Sequence, residues 1–247
     1  MTPSRRRRRV LAWVFGILGA LVIVVVVGLV VWSQVGVMAA EPEPLAAARA
    51  DERVTITDDS AAIIIEPSSG SREVGLVYIP GAKVDPWAYA AKLVDVAADD
   101  DITVVITKPW LNLAFFDLRP LDAFTSLAPD VSTWIVGGHS LGGVRACTLA
   151  ADADALALFA SYCANEITDR PVLSLSGSND GLTTPDDVAG ARDLLPADAE
   201  FIQIDGAAHS SFGDYGLQDG DGDPAISDAD MTAALTAGLA ELADSLR

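Results

Sequence analysis

The chain predicts an α/β fold: a mostly parallel central sheet with helices on both faces, carried behind one membrane-spanning segment. Two patterns lead there. From Val54 onward, short strand-like runs alternate with helix-like stretches, and several of the runs are apolar at every position, as strands covered on both faces must be. Nearer the N-terminus, 23 consecutive residues from Val10 to Trp32 carry no charge.

That uncharged run comes first. As a helix it would reach roughly 35 Å, enough to cross a hydrocarbon core with some tilt. Arg5 to Arg9 precede it, Glu41 and Glu43 follow it, and the next basic residue is Arg49. The excess of positive charge before the run puts the N-terminus in the cytoplasm and the rest of the chain outside, at the cell membrane. A cleaved signal peptide is the competing expectation, because Val37-Met38-Ala39 has the small residues a peptidase needs. Such peptides, however, have apolar stretches of only about 7–15 residues. A buried core helix is seldom apolar all the way round and gives five arginines no purpose. We therefore read residues 1–9 as a cytoplasmic basic tail and residues 10–32 as a transmembrane helix. Residues 33–53, rich in Ala, Pro and Glu, read as a tether, and residues 54–247 as one folded domain.

Within that domain, strand-like runs recur at Val54–Thr57, Ala62–Glu66, Val74–Ile79, Ile102–Thr107, Thr133–Val136, Ala155–Ala160, Val172–Ser176 and Phe201–Ile204. Helix-like stretches lie at Pro86–Ala98, Pro120–Leu127, Leu141–Ala151, Pro185–Leu195 and Ala229–Leu246. Strands alternating with helices imply parallel strands joined by helical crossovers.

Charge narrows the function classes. Five of the 16 Lys+Arg stand in the basic tail, so 11 face 35 Asp+Glu and the remainder carries about −24. Nucleic acid would be repelled by that surface, so no nucleic-acid partner is expected. Two cysteines, Cys147 and Cys163, permit one disulfide but do not make a disulfide scaffold. No Cys-x-x-Cys spacing occurs, so no zinc site is expected.

The chemistry concentrates in Thr133-Trp134-Ile135-Val136-Gly137-Gly138-His139-Ser140-Leu141-Gly142-Gly143. An apolar strand runs into Gly138-x-Ser140-x-Gly142 and then into a helical pattern, the strand–turn–helix context of a nucleophile elbow. The turn holds the serine backbone in a strained conformation, and bulk two residues before or after it would stop strand and helix from packing. Ser140 is thereby exposed above the sheet edge, at a helix N-terminus that favours negative charge. A Gly-rich turn with Ser as N-cap is the simpler account of the same five residues.

A serine nucleophile needs a base and an acid, in the chain order Ser, Asp, His. Only two histidines exist; His139 is adjacent to the serine and points away, which leaves His209 in the loop after the run Phe201–Ile204. Asp180, in Ser178-Asn179-Asp180-Gly181 after the run Val172–Ser176, is the preferred acid over Glu166, although Asn-Asp-Gly is also a strong turn signal. Backbone N–H groups of Leu141 and Ala82 are the expected oxyanion donors, with Gly81 allowing close approach. Lys83 reads as an exposed loop lysine.

Five segments, Tyr78–Val84, Asn112–Phe116, Gly138–Gly143, Gly177–Leu182 and Ala208–Gly213, together resemble the lidless α/β-hydrolases related to dienelactone hydrolase. The resemblance runs in order across nearly the whole domain. It implies the α/β-hydrolase fold, the triad Ser140, Asp180 and His209, and action on an ester or related acyl bond without a cofactor. Dienelactone hydrolases proper carry a cysteine nucleophile where this chain has serine, so their lactone chemistry does not transfer. Only about a dozen residues separate Ala160 from Val172, where a cap usually enters, so no cap domain is expected.

A small-molecule or lipid ester is the expected substrate, and residues 10–32 the expected membrane contact. An acyltransferase using the same triad and a silent binding module on the same fold are the alternatives. Asp219, Asp221, Asp223, Ser227 and Asp230 match a calcium-loop spacing, but Pro224 stands where that loop turns on glycine and Asp230 where it has Glu. We read the stretch as a solvated acidic turn.

Overall fold

The computed structural model describes residues 5–68 and 73–247. Helix α1 (Arg5–Gln34) is exposed along its described side chains except at Ser33. Among the described residues it is the one helix long and apolar enough to cross a membrane.

Residues 33–53, expected as a tether, lie against the domain. Met38 forms a parallel bridge with Val84, and the Glu41 N–H donates to the Asp214 carbonyl at 2.8 Å. Helix α2 (Pro42–Arg49) then buries Ala48. The physical reason is apolar surface: Met38, Ala40, Leu45 and Ala48 all pack on the main core, and leaving them in water would cost more than ordering the segment.

The domain is built on one eight-stranded sheet. Its strands are β1 (Val54–Asp58), β2 (Ala62–Pro67), β3 (Val74–Ile79), β4 (Thr103–Thr107), β5 (Thr133–His139), β6 (Ala155–Phe159), β7 (Val172–Gly177) and β8 (Glu200–Ile204). They lie in the order β1-β2-β4-β3-β5-β6-β7-β8. β1 and β2 are antiparallel to their neighbours, and β3 to β8 are parallel. Successive residues of β3 alternate between two cores: Leu76 and Tyr78 on the face covered by α3 (Ala90–Asp100) and α7 (Asp228–Asp244), Val77 and Ile79 on the face covered by α5 (Leu141–Leu149). Burial on both faces is why these strands read as unbroken apolar runs.

The helices are shorter than their sequence patterns. Pro86–Tyr89 is a 3-10 turn leading into α3, and Pro120–Leu127 keeps only one turn, α4 (Asp122–Thr125), ahead of Pro129. The stretch Pro185–Leu195 breaks after Gly190 into α6 (Pro185–Gly190) and a 3-10 turn. Proline and glycine at those points remove the backbone donor or the conformational bias that a longer helix needs. Between β6 and β7 there is no helix or strand, hence no cap over the sheet edge.

Strand order reverses between β3 and β5: the chain leaves β3 toward β4, then crosses back to lay β5 on the other side. In open α/β sheets the crevice at the carboxyl ends of such a strand pair is where ligands bind. Cys147 on α5 and Cys163 beyond β6 are joined by a disulfide, with Cα atoms 5.6 Å apart.

Candidate active site

Ser140 lies in that crevice, between the last residue of β5 and the first of α5, with φ 52° and ψ −123°. This is a conformation L-residues rarely adopt, and it costs of order 1–3 kcal/mol. The surroundings hold it in place. Its N–H donates to the Phe159 carbonyl at 3.0 Å, and its own carbonyl accepts from the Gly143 N–H at 3.0 Å and the Ser161 hydroxyl at 2.7 Å. The flanking glycines are steric necessities: a Cβ on Gly138 would fall 2.6 Å from the Gly142 carbonyl carbon, and one on Gly142 would strike the Ile79 carbonyl oxygen.

His209 opens a 3-10 turn (His209–Phe212) in the loop after β8, and Asp180 lies in the loop after β7. Their side chains meet, His209 Nδ1 to Asp180 Oδ2 at 2.9 Å, and both residues are buried. The other Asp180 oxygen accepts the N–H groups of Leu182 at 2.9 Å and Thr183 at 2.7 Å, which fixes the carboxylate plane. Glu166, the other carboxylate the sequence offered, is exposed. Ser140 Oγ makes no hydrogen bond to the imidazole among the described residues. Such contacts are often long in an empty site and tighten around substrate.

Among the described residues, the N–H groups of Leu141 and Ala82 donate to no protein acceptor, so both remain free for a ligand oxygen. Backbone strain gathers at the same edge. Lys83, Leu111, Asn112, Ser140 and Ala160 have φ between 45° and 58°, and each follows the carboxyl end of β3, β4, β5 or β6.

The model of the alpha/beta hydrolase family matches residues 75–233, more than half of the 247-residue chain. The chain belongs to that family. The match spans β3 through the start of α7, and with it every segment just described. The family and the eight-stranded, mostly parallel sheet together make the protein an α/β hydrolase. A search of curated proteins found no match.

Two sets of residues in this hydrolase escaped sequence reading. The first is a hydrogen-bond chain beneath the site. The Gly81 N–H donates to the Tyr89 hydroxyl at 3.0 Å, and that hydroxyl pairs with His139 Nδ1 at 2.9 Å. His139 Nε2 lies 3.1 Å from the His209 carbonyl oxygen. A carbonyl only accepts, so Nε2 must carry the proton and Nδ1 must accept from the tyrosine. Burial, then the neighbouring His209, pushes the His139 imidazole well below its ordinary value, so it stays neutral. His139 thus connects the Gly81 loop to the backbone of His209, with its ring centre 4.4 Å from that of His209.

The second is Asp221, expected in a solvated acidic turn. It accepts from the N–H groups of His209 at 3.0 Å, Ser210 at 2.8 Å, Gly181 at 3.2 Å and Gly222 at 2.8 Å, and from the Ser210 hydroxyl at 2.8 Å. One carboxylate thereby ties the Asp180 loop to the His209 loop. Burial raises its pKa, but the N–H groups of Ser210, His209 and Gly181 with the Ser210 hydroxyl outweigh it, and the net direction is down. No group of three or more His, Cys, Asp or Glu among the described residues is arranged to hold a metal.

Proposed function

We propose that this α/β hydrolase is a serine hydrolase cleaving an ester-type acyl bond, held by α1 on the outer face of a membrane. The observation that carries the catalytic half is the 2.9 Å contact between His209 Nδ1 and Asp180 Oδ2, in loops at the same sheet edge as the strained Ser140. In this reading Ser140 Oγ attacks the carbonyl carbon while His209 Nε2 takes its proton, and Asp180 holds the imidazole in the tautomer that leaves Nε2 free. The developing oxyanion is received by the Leu141 and Ala82 N–H groups, one such donor being worth about 100- to 1000-fold in turnover. His209 then protonates the leaving alcohol, the ester C–O bond breaks, and a water deprotonated by His209 releases the acid from Ser140. The kinship to lidless dienelactone-hydrolase-like enzymes is part of the same proposal.

The anchor reading divides the chain into tail 1–9, membrane helix 10–32, linking segment 33–53 and catalytic domain 54–247. Retention of the helix is supported by what cleavage after Ala39 would cut away. Met38 N–H donates to the Lys83 carbonyl at 2.8 Å and its carbonyl accepts from Asp85 N–H at 2.9 Å, inside the domain. The Cys147–Cys163 disulfide suits an oxidising, extracytoplasmic compartment.

A fluorophosphonate probe tests the nucleophile. The full chain should be labelled and Ser140→Ala should not, with parallel loss of p-nitrophenyl ester hydrolysis. Equal labelling of both proteins would remove Ser140 from the mechanism.

A further inference from the structure

The end of α1 is fastened to the catalytic edge itself. Lys83, next to the proposed oxyanion donor Ala82, donates through Nζ to the Trp32 carbonyl at 3.0 Å and the Val35 carbonyl at 2.9 Å, and its ammonium lies 4.0 Å from the centre of the Trp32 ring. Asn112, in the loop after β4, donates to the Ser33 carbonyl at 3.2 Å and accepts the Lys83 N–H at 2.8 Å. Trp13 and Trp32 stand about 28 Å apart along the helix, close to the thickness of a hydrocarbon core. Tryptophans so spaced mark the two membrane interfaces. Trp32 then sets the outer interface at the level of the Lys83 loop.

The exposed apolar side chains repeat that placement. Outside α1, four of the eight exposed large apolar residues among those described, Trp110 (52%), Phe115 (72%), Phe116 (43%) and Leu118 (76%), gather in the loop after β4 that touches the end of α1, while Val35, Tyr162, Leu182 and Leu217 stand singly. Such a cluster in one short loop is a contact surface rather than scatter. Lys83, Arg119 and Arg145 flank it in a chain that is otherwise strongly acidic, with Arg119 paired to Asp117 of the same loop. Between this cluster and the elbow runs an apolar cleft of about 260 Å³, walled by Phe115, Leu118, Leu141 and Val144. It begins at the residue whose N–H is the proposed oxyanion donor.

From these observations we infer that the catalytic edge faces the bilayer holding α1, and that the substrate is an acyl ester resident in that bilayer whose chain enters the Phe115–Leu118–Leu141–Val144 cleft. The inference deepens the serine-hydrolase and anchor readings and rests on them. No lid is needed, because the bilayer covers the apolar rim.

The test uses the full chain reconstituted in phosphatidylcholine vesicles. A polarity-sensitive fluorophore on Leu118→Cys should be blue-shifted and quenched by lipids spin-labelled near the headgroup, and one on Glu241→Cys, at the opposite end of α7, should be neither. Turnover of p-nitrophenyl palmitate in the vesicles, relative to p-nitrophenyl acetate in solution, should fall at least about tenfold in Leu118→Asp. A label at 118 as water-exposed as the label at 241, in protein that floats with the vesicles, overturns the orientation. An unchanged palmitate-to-acetate ratio overturns the acyl cleft. Protein that fails to float removes the anchor, and Ser140→Ala turnover equal to the parent removes the serine, so either underlying failure shows separately.

Discussion

Asp180 and Asp221 are both acidic residues beside glycine in turn-rich loops, yet their carboxylates do different things. Asp180 offers one oxygen to His209 and satisfies the other with two N–H groups; Asp221 points entirely at backbone and the Ser210 hydroxyl. Asp180→Asn should therefore lower kcat by about 10⁴ while leaving the fold intact, because an amide supports the wrong imidazole tautomer. Circular dichroism beside ester kinetics would check it, and a loss under tenfold would count against Asp180 as the orienting acid. Asp221→Asn swaps an acceptor for a donor amide among four N–H groups, so the two loops should drift apart. A fall in kcat near 100-fold is expected, the usual size for a misplacement of about 1 Å.

His139 gives a pH signature. In the folded chain it is neutral because burial, and then His209, depress its pKa, whereas in the unfolded chain it titrates near 6.5. Below that value the unfolded state binds the extra proton. The stability His139 contributes is thus fully present above pH 6.5 and is lost as pH falls below it, at up to about 1.4 kcal/mol per pH unit. Urea melts between pH 7 and 5 should show this decline, and His139→Gln should flatten it. The roles of Tyr89, His139 and Asp221 were not readable in the sequence, because they come from partners up to 70 residues away.

At the scale of elements, the elbow was legible because its signal is local. Glycine two residues either side of Ser140 is demanded by contacts within the same strand–turn–helix and with the end of β3. Gly142→Ala should leave little folded protein, since no flexible side chain stands in the way to yield, only the backbone carbonyls of Ile79 and Pro80. Expression with a thermal melt would check this, and a fully stable variant would mean that β3 can shift. Six of the strands, β2 to β7, were legible for a related reason: each is an apolar run buried along nearly its whole length, whereas the edge strands β1 and β8 are largely exposed. Helix lengths were less so. A proline or glycine cuts a periodic pattern short only where the following backbone finds another partner, as Gly190 shows. The pairing of Cys147 with Cys163 was equally out of reach, since two cysteines only permit a bond until α5 and the loop after β6 bring them together. Reducing it should cost about 3 kcal/mol, from the loop of separation 16 that it closes, readable as a lowered denaturation midpoint in dithiothreitol.

At the scale of the whole molecule, the linking segment decides how helix and domain behave together. Because residues 33–53 pack on the core through Met38 and Ala48 rather than hang in water, the domain should not swing freely relative to α1. Intact-mass measurement of protein from membranes should find residues 1–39 still attached, and carbonate washing should not release it. A mature N-terminus at residue 40 in a soluble fraction would show the helix to be a cleaved signal.

Fold class, strand positions, the elbow and the candidate triad residues follow from sequence alone, because each rests on short-range patterns: continuous apolar runs, turn glycines, a long uncharged run. Tertiary structure alone decided which carboxylate meets His209, what holds the two loops together, and where the end of α1 docks. Those depend on strand order, which sets β3 beside β5 and brings loops from six parallel strands to one edge, and no local stretch of chain encodes its distant neighbours.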